Sequence, residues 1–166
     1  MSDIPAPPSL PPAPLPYHRE VVSYLKTTEP EVWQWASSAE VRGEFAEEMR
    51  TALLKANYRL DAEGHPELAA RCSAVAQALG VTVPVTLYQA TGGFGLNAAL
   101  YHLPGEAHIV FTGPILATLK GAELDAVLAH ELAHYRLDVT ANNGGKDGLQ
   151  LAELALLKRA ASPRHR

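Results

Sequence analysis

Residues 130–134 read His-Glu-Leu-Ala-His. On an α-helix, positions four apart lie on one face, one turn above the other. Two imidazoles placed this way can reach one zinc ion at roughly 2.0–2.1 Å. Glu131 stands one step round the helix from His130, where a carboxylate can take a proton from a metal-activated water without ligating the ion itself. His130 and His134 are therefore the candidate metal ligands, Glu131 is the candidate catalytic base, and one Zn2+ per chain is the expected cofactor. The chemistry is hydrolysis. The pattern has this meaning only on a helix. Leu124, Val127, Leu128 and Leu132 form an apolar stripe beside the histidines, which predicts a helix from Gly121 to about Val139 with one face buried and the ligand face turned to a cleft. In a chain with seven histidines among 166 residues, composition alone would produce about 0.02 such pentapeptides, so chance is a poor explanation.

The rest of the chain must hold that helix in place. Residues 17–60 are helix-rich. Glu20–Lys26 forms one short helix, Pro30 suits the first turn of a second carrying Trp33 and Trp35, and Phe45, Met49, Ala52, Leu53 and Ala56 recur at spacings of three and four within a longer one over 41–58. Asp61–Leu68 reads as a turn with Pro66 near a helix start, and the helix over 67–79 stops at Gly80. The pattern then changes to β-branched and alternating residues over 81–90, with further strands over 96–103 and 107–112 joined through Pro104-Gly105. Pro84 implies that the first strand begins irregularly or lies at an edge. Helix returns at 114–119 and 121–139, breaks at Asn142–Gly145, and recurs over 149–160. The expected fold class is α+β, with a helical N-terminal leader and a small, mostly antiparallel sheet packed on the active-site helix. The expected organisation is a Pro-rich extended arm over 1–16, the leader over 17–80, a catalytic core over 81–160 and a basic tail over 161–166.

Composition narrows the function classes. Hydrophobic residues make up 47% and charged residues 19%, with a net charge of -4. This composition supplies one real core and disfavours nucleic-acid binding, which needs a basic surface. One cysteine, Cys72, excludes an internal disulfide and a cysteine-built zinc site; on its Ala-rich helix it reads as a small buried hydrophobe. No segment has the run of apolar residues a membrane span requires, and the first ten residues lack the features of a signal peptide. The expectation is a soluble cytoplasmic protein with no membrane and no nucleic-acid partner. Seven of the 13 prolines lie between Pro5 and Pro16; this arm reads as a solvated tail or a strap across the domain rather than a docking peptide.

Other chemistries find no support. Gly93-Phe-Gly95-Leu-Asn-Ala98 loosely matches a dinucleotide fingerprint, but strand-like sequence follows where a helix should open, so it reads as a turn. No phosphate-binding loop and no G-x-S-x-G occurs. His102 and His108 fall in strands and read as satisfied or exposed rather than as ligands, and His18 and His65 read as solvent-facing.

The match reaches beyond the pentapeptide. Phe111-Thr-Gly-Pro-Ile-Leu116 followed by Glu123-Leu-Asp-Ala-Val-Leu-Ala-His-Glu-Leu-Ala-His134 resembles the core of the HtpX-like and CAAX prenyl protease family of zinc metallopeptidases. Asn97-Ala98 is similar to the Asn-Ala of that family's strand above the cleft. The resemblance covers about residues 81–139. It implies a gluzincin site, with two histidines and a downstream glutamate on zinc and an activated water attacking a peptide carbonyl. It also implies peptide or protein substrates bound at Asn97 and Ala98. The family's membrane-spanning helices are missing from this chain, and its third ligand comes from a later E-x-x-x-D helix. After His134 the single glutamate is Glu153, with Leu157 where an aspartate is expected. Either Glu153 is the third ligand, or the chain ends before the ligand helix and leaves a two-histidine site. The runner-up reading is accordingly a catalytically silent metal-binding or interaction module that keeps the fold.

Overall fold

Three helices begin on a proline, whose fixed φ suits the first turn and whose missing N–H is one that would have no helical partner there. They are α1 (Pro16–Thr28), α2 (Pro30–Ala36) and α4 (Pro66–Ala78). The computed structural model describes residues 16–36 and 38–141. The arm before Pro16, the break at Asn142–Gly145, the helix expected over 149–160 and Glu153 all lie outside the described residues. Lys26 Nζ of α1 sits 5.0 Å from the ring centre of Trp33 on α2, and Leu25 is fully buried. Two apart on a helix, Trp33 and Trp35 are expected to face differently, one in the core and one partly exposed; Trp33 is half-buried and Trp35 exposed, so they do differ, but neither is in the core.

The long leader helix, α3 (Ala39–Ala56), runs directly into a strand, β1 (Asn57–Leu60). The sequence pattern predicts helix through Tyr58; the structure corrects this. The Asn57 side-chain amide donates to the Leu53 carbonyl at 2.8 Å, a local bond that competes with helix continuation. The Ala56 carbonyl accepts from the Thr91 hydroxyl at 2.9 Å. Beyond that point the backbone pairs antiparallel with β2 (Val85–Ala90), from Asn57 opposite Ala90 to Leu60 opposite Leu87.

The remaining strands are β3 (Asn97–Leu103) and β4 (Glu106–Thr112), and the sheet order is β1-β2-β4-β3. β2 pairs parallel with β4, and β3 pairs antiparallel with β4. The sheet is thus mixed but mostly antiparallel, and the architecture is α+β as expected. Pro84 stands just outside the ladder, its carbonyl accepting from Ala107 N at 3.0 Å. The irregular start it predicts is present, but β2 is an interior strand and not an edge.

One sheet face carries Leu87, Ala107, Ile109 and Phe111 against α4 and the two helices that follow β4, α5 (Ile115–Thr118) and α6 (Ala122–Ala141). Cys72 is buried in this core. The other face carries Tyr88 and Val110 against Leu53 and Met49 of α3. Arg50 of α3 clasps Glu106 of β4 at 2.5 Å. The molecule is therefore three layers, with the site helix in the layer opposite the leader. Among the described residues no helix is long and apolar enough to cross a membrane.

Candidate active site

The pentapeptide lies inside α6, a helix with no glycine or proline between Ala122 and Ala141. Gly121 precedes it at φ 54, and Glu123 and Asp125 in its first turn complement the positive end of the helix dipole. Leu124, Leu128, Leu132 and Tyr135 are buried against the sheet. Two contacts fix the rotation of α6 relative to α4. Near its start, Arg71 Nη1 donates to both carboxylate oxygens of Asp125 at 3.0 Å. Eleven residues on, Arg136 Nη1 reaches the Gly80 carbonyl at 3.4 Å. At about 100° per residue these two positions share one flank of the helix. His130 and His134 fall on the opposite flank, turned away from α4.

The two imidazoles converge. Their Nε2 atoms are 3.2 Å apart, with the rings nearly perpendicular at 86° and centres 4.8 Å apart. Two nitrogens bound to one tetrahedral zinc would stand about 3.3–3.4 Å apart, so the donor pair fits that ion. To hold a zinc ion, each imidazole would present its Nε2 lone pair and carry its proton on Nδ1. Both histidines are exposed, whereas Glu131 between them is only 8% exposed. The site thus combines an accessible nitrogen pair with a sheltered carboxylate.

Among the described residues no third His, Cys, Asp or Glu joins the pair. The sequence candidate for that role, Glu153, lies outside them. Asn97 is exposed and Ala98 half-buried at the start of β3, which, like β1, is an edge strand among the described residues. The residues before it form the turn read from the sequence and do not open a helix. Gly93 and Gly95 have φ of 110 and 86, and the strap they form crosses the end of β4. There Gly113, at φ 65, lies so close to the Gly95 carbonyl that any Cβ would collide with it. Gln89 Nε2 holds the Gly113 carbonyl at 3.0 Å.

Tyr135 and His102 were not singled out as site neighbours by residue type, yet their rings meet edge-on at 6.2 Å and link α6 to β3 beside the histidines. The available signal was Tyr135's place on the buried stripe, eleven residues after Leu124. A cavity of about 610 Å³ lies between α4 and the β1–β2 side and includes none of the three motif residues.

His108 departs from its sequence expectation. It sits on the α3 face of the sheet, 3% exposed, and among the described residues neither ring nitrogen has a hydrogen-bond partner. Its Nε2 is 3.5 Å from Glu106 Oε2, and its ring is 5.9 Å from that of Tyr88. Glu106 binds Arg50 through its other oxygen, Oε1. Burial lowers its pKa below the ordinary 6.5; Glu106 opposes that shift, and Arg50 and Arg59 reinforce it. The unfolded chain therefore binds the extra proton first. This residue's contribution is fully present above pH about 6.5 and is lost as pH falls, by up to about 1.4 kcal/mol per pH unit, until the folded-state pKa is reached. Chemical denaturation of the wild type and His108→Leu at pH 7.5 and 5.5 checks this. The variant should lose less stability than the wild type between the two pH values; equal losses would show that His108 is not responsible.

Comparison with known proteins adds one match. A family model, Peptidase family M48, matches residues 62–162. That span holds α4, the sheet from β2 onward, and α6. It also extends past the described residues to include Glu153. No characterised protein and no solved structure matches the chain. The matched segment exceeds half of the sequence and contains the whole histidine–glutamate constellation, and with it the chain belongs to peptidase family M48.

Proposed function

We propose that the protein is a zinc-dependent endopeptidase in which His130 and His134 hold the metal, Glu153 supplies the third ligand and Glu131 is the general base. Family membership supports a metallopeptidase-type function. The observation that carries the zinc reading is the convergence of the two Nε2 atoms at 3.2 Å on the exposed flank of α6. Bound there, zinc would supply Lewis acidity, polarising a carbonyl and lowering the pKa of a water toward about 7. Glu131 would take the water's proton and deliver it to the leaving amine. Its burial keeps the carboxylate from being dispersed by bulk water. The unpaired edge of β3, beginning at Asn97 and Ala98, offers backbone N–H and C=O groups to an extended peptide. Because β3 runs past the histidines at both ends, internal bonds are accessible.

Glu153 is proposed because it is the single glutamate after the pentapeptide and lies within the family match. Zinc content by native mass spectrometry, with peptide hydrolysis measured on the same samples, tests the reading. One zinc per chain and hydrolysis abolished by a chelator are expected. Glu153→Gln should weaken zinc by about tenfold or more and remove hydrolysis. Full zinc retention in Glu153→Gln would assign the third ligand elsewhere. No zinc in the wild type would leave the silent-module reading.

A further inference from the structure

The strap and strand that lead past the histidines carry no formal charge. From Ala90 to Gly105 there is no Lys, Arg, Asp or Glu. Within this neutral stretch two large apolar side chains face solvent at the Asn97 end of β3. Phe94 is fully exposed and Leu96 is 51% exposed. Burying such side chains is favourable, and here that free energy is unrealised. Nor is the strap loosely held. A Cβ on Gly93 would press on Thr112 Cγ2 at 2.7 Å, and one on Gly113 would strike the Gly95 carbonyl, so the strap is clamped onto the end of β4 with its apolar side chains outward.

The position of this pair relative to the histidines follows from two contacts. Asn97 stands opposite Thr112, whose strand leads through α5 into the start of α6. Tyr135, further along α6, meets His102 near the other end of β3. Helix and strand therefore run the same way. The midpoint of the histidine pair lies about 4.5 Å before Tyr135 along the helix, abreast of roughly residues 100–101. Leu96 is about four strand residues, or ~13 Å, upstream.

We propose that Phe94 and Leu96 form a subsite at the entrance to the β3 edge, and that it takes a large apolar side chain about four residues from the scissile bond of an extended, uncharged peptide segment. The inference rests on reading β3 as the substrate strand. The occupant is a peptide because the apolar pair is continuous with an unpaired strand edge. A membrane surface is disfavoured because the stretch that carries the pair has no Lys or Arg to meet lipid headgroups.

The test uses the zinc-supplemented full chain and two fluorescein-labelled neutral peptides. The peptides differ only in having Phe or Ser four residues to each side of a central bond. Anisotropy gives Kd and mass spectrometry gives cleavage. The wild type should favour the Phe peptide by about tenfold in Kd and in kcat/KM, the worth of one large apolar contact. In Phe94→Ser/Leu96→Ser that ratio should fall to about one, with an unchanged unfolding midpoint. A Phe preference in binding that the double variant loses, with no cleavage by either protein, upholds the subsite and overturns the peptidase reading. Cleavage of both peptides at equal kcat/KM, or a ratio kept by the double variant, overturns the subsite and leaves the peptidase reading standing. Neither binding nor cleavage overturns both. Sedimentation with phosphatidylcholine vesicles that the double variant loses, without a peptide preference, assigns the pair to a membrane and overturns the subsite.

Discussion

His134→Ala protein should purify folded, carry zinc only at background level and hydrolyse no peptide, and His130→Ala should do the same. The fold should survive because both imidazoles are exposed on α6 and the helix is held by other residues. These are the buried Leu128 and Leu132 and the Arg71–Asp125 contact. The metal should not survive. Complete zinc sites release about 10–16 kcal/mol on binding, so an equal share for one of four ligands is about 3 kcal/mol, more than a hundredfold in Kd. Native mass spectrometry and circular dichroism on the same samples read the two effects separately. Wild-type zinc content in either variant would show that the ion sits elsewhere. A collapsed helical signal would show that the histidines are part of the packing rather than of a metal centre.

The second large effect is expected at Glu131. Glu131→Gln keeps the shape of the side chain, exchanges one acceptor oxygen for an amide and removes the carboxylate's ability to take a proton. Zinc should remain at one per chain, since Glu131 is not a ligand. Hydrolysis should fall by about 10²–10⁴-fold, the usual worth of a positioned general base. The loss should appear in kcat rather than in KM, because the residue acts on a proton moved in the transition state and not on the bound peptide. Steady-state kinetics against an internally quenched peptide decide the matter. A variant within threefold of wild type would remove Glu131 from the mechanism. Loss of zinc in Glu131→Gln would reassign it to the metal.

Much of this arrangement was legible in the residues themselves because it depends on local chemistry. The helix carrying His130, Glu131 and His134 follows from an apolar stripe at spacings of three and four and from the absence of any glycine or proline over its length. Starts at Pro30 and Pro66 and a stop at Gly80 follow from what those residues do to φ. The turn over Gly93–Leu96 follows from glycines at positions whose φ is positive. Even the split between Trp33 and Trp35 was readable, since positions two apart on a helix face different ways.

Other features were decided by contacts between distant parts of the chain. Asn57–Leu60 continues a helical pattern in sequence, yet forms strand because its backbone finds Leu87–Ala90 beside it. Pro84 signals an irregular strand start, but only the pairing of β2 with both β1 and β4 shows that the strand is interior. His108 is an ordinary strand residue by sequence. Its burial arises because it shares the α3 face of the sheet with Tyr88 and Val110. Most consequential is the rotation of α6. Sequence by itself determined that two imidazoles and a carboxylate share one helix at the right spacing. Only the tertiary structure decided where they point, through Asp125 and Arg136 on the flank facing α4. That left the histidines on the other flank, turned away from α4. Helical periodicity is a property of consecutive residues, whereas the direction a helix faces is set by its neighbours in space.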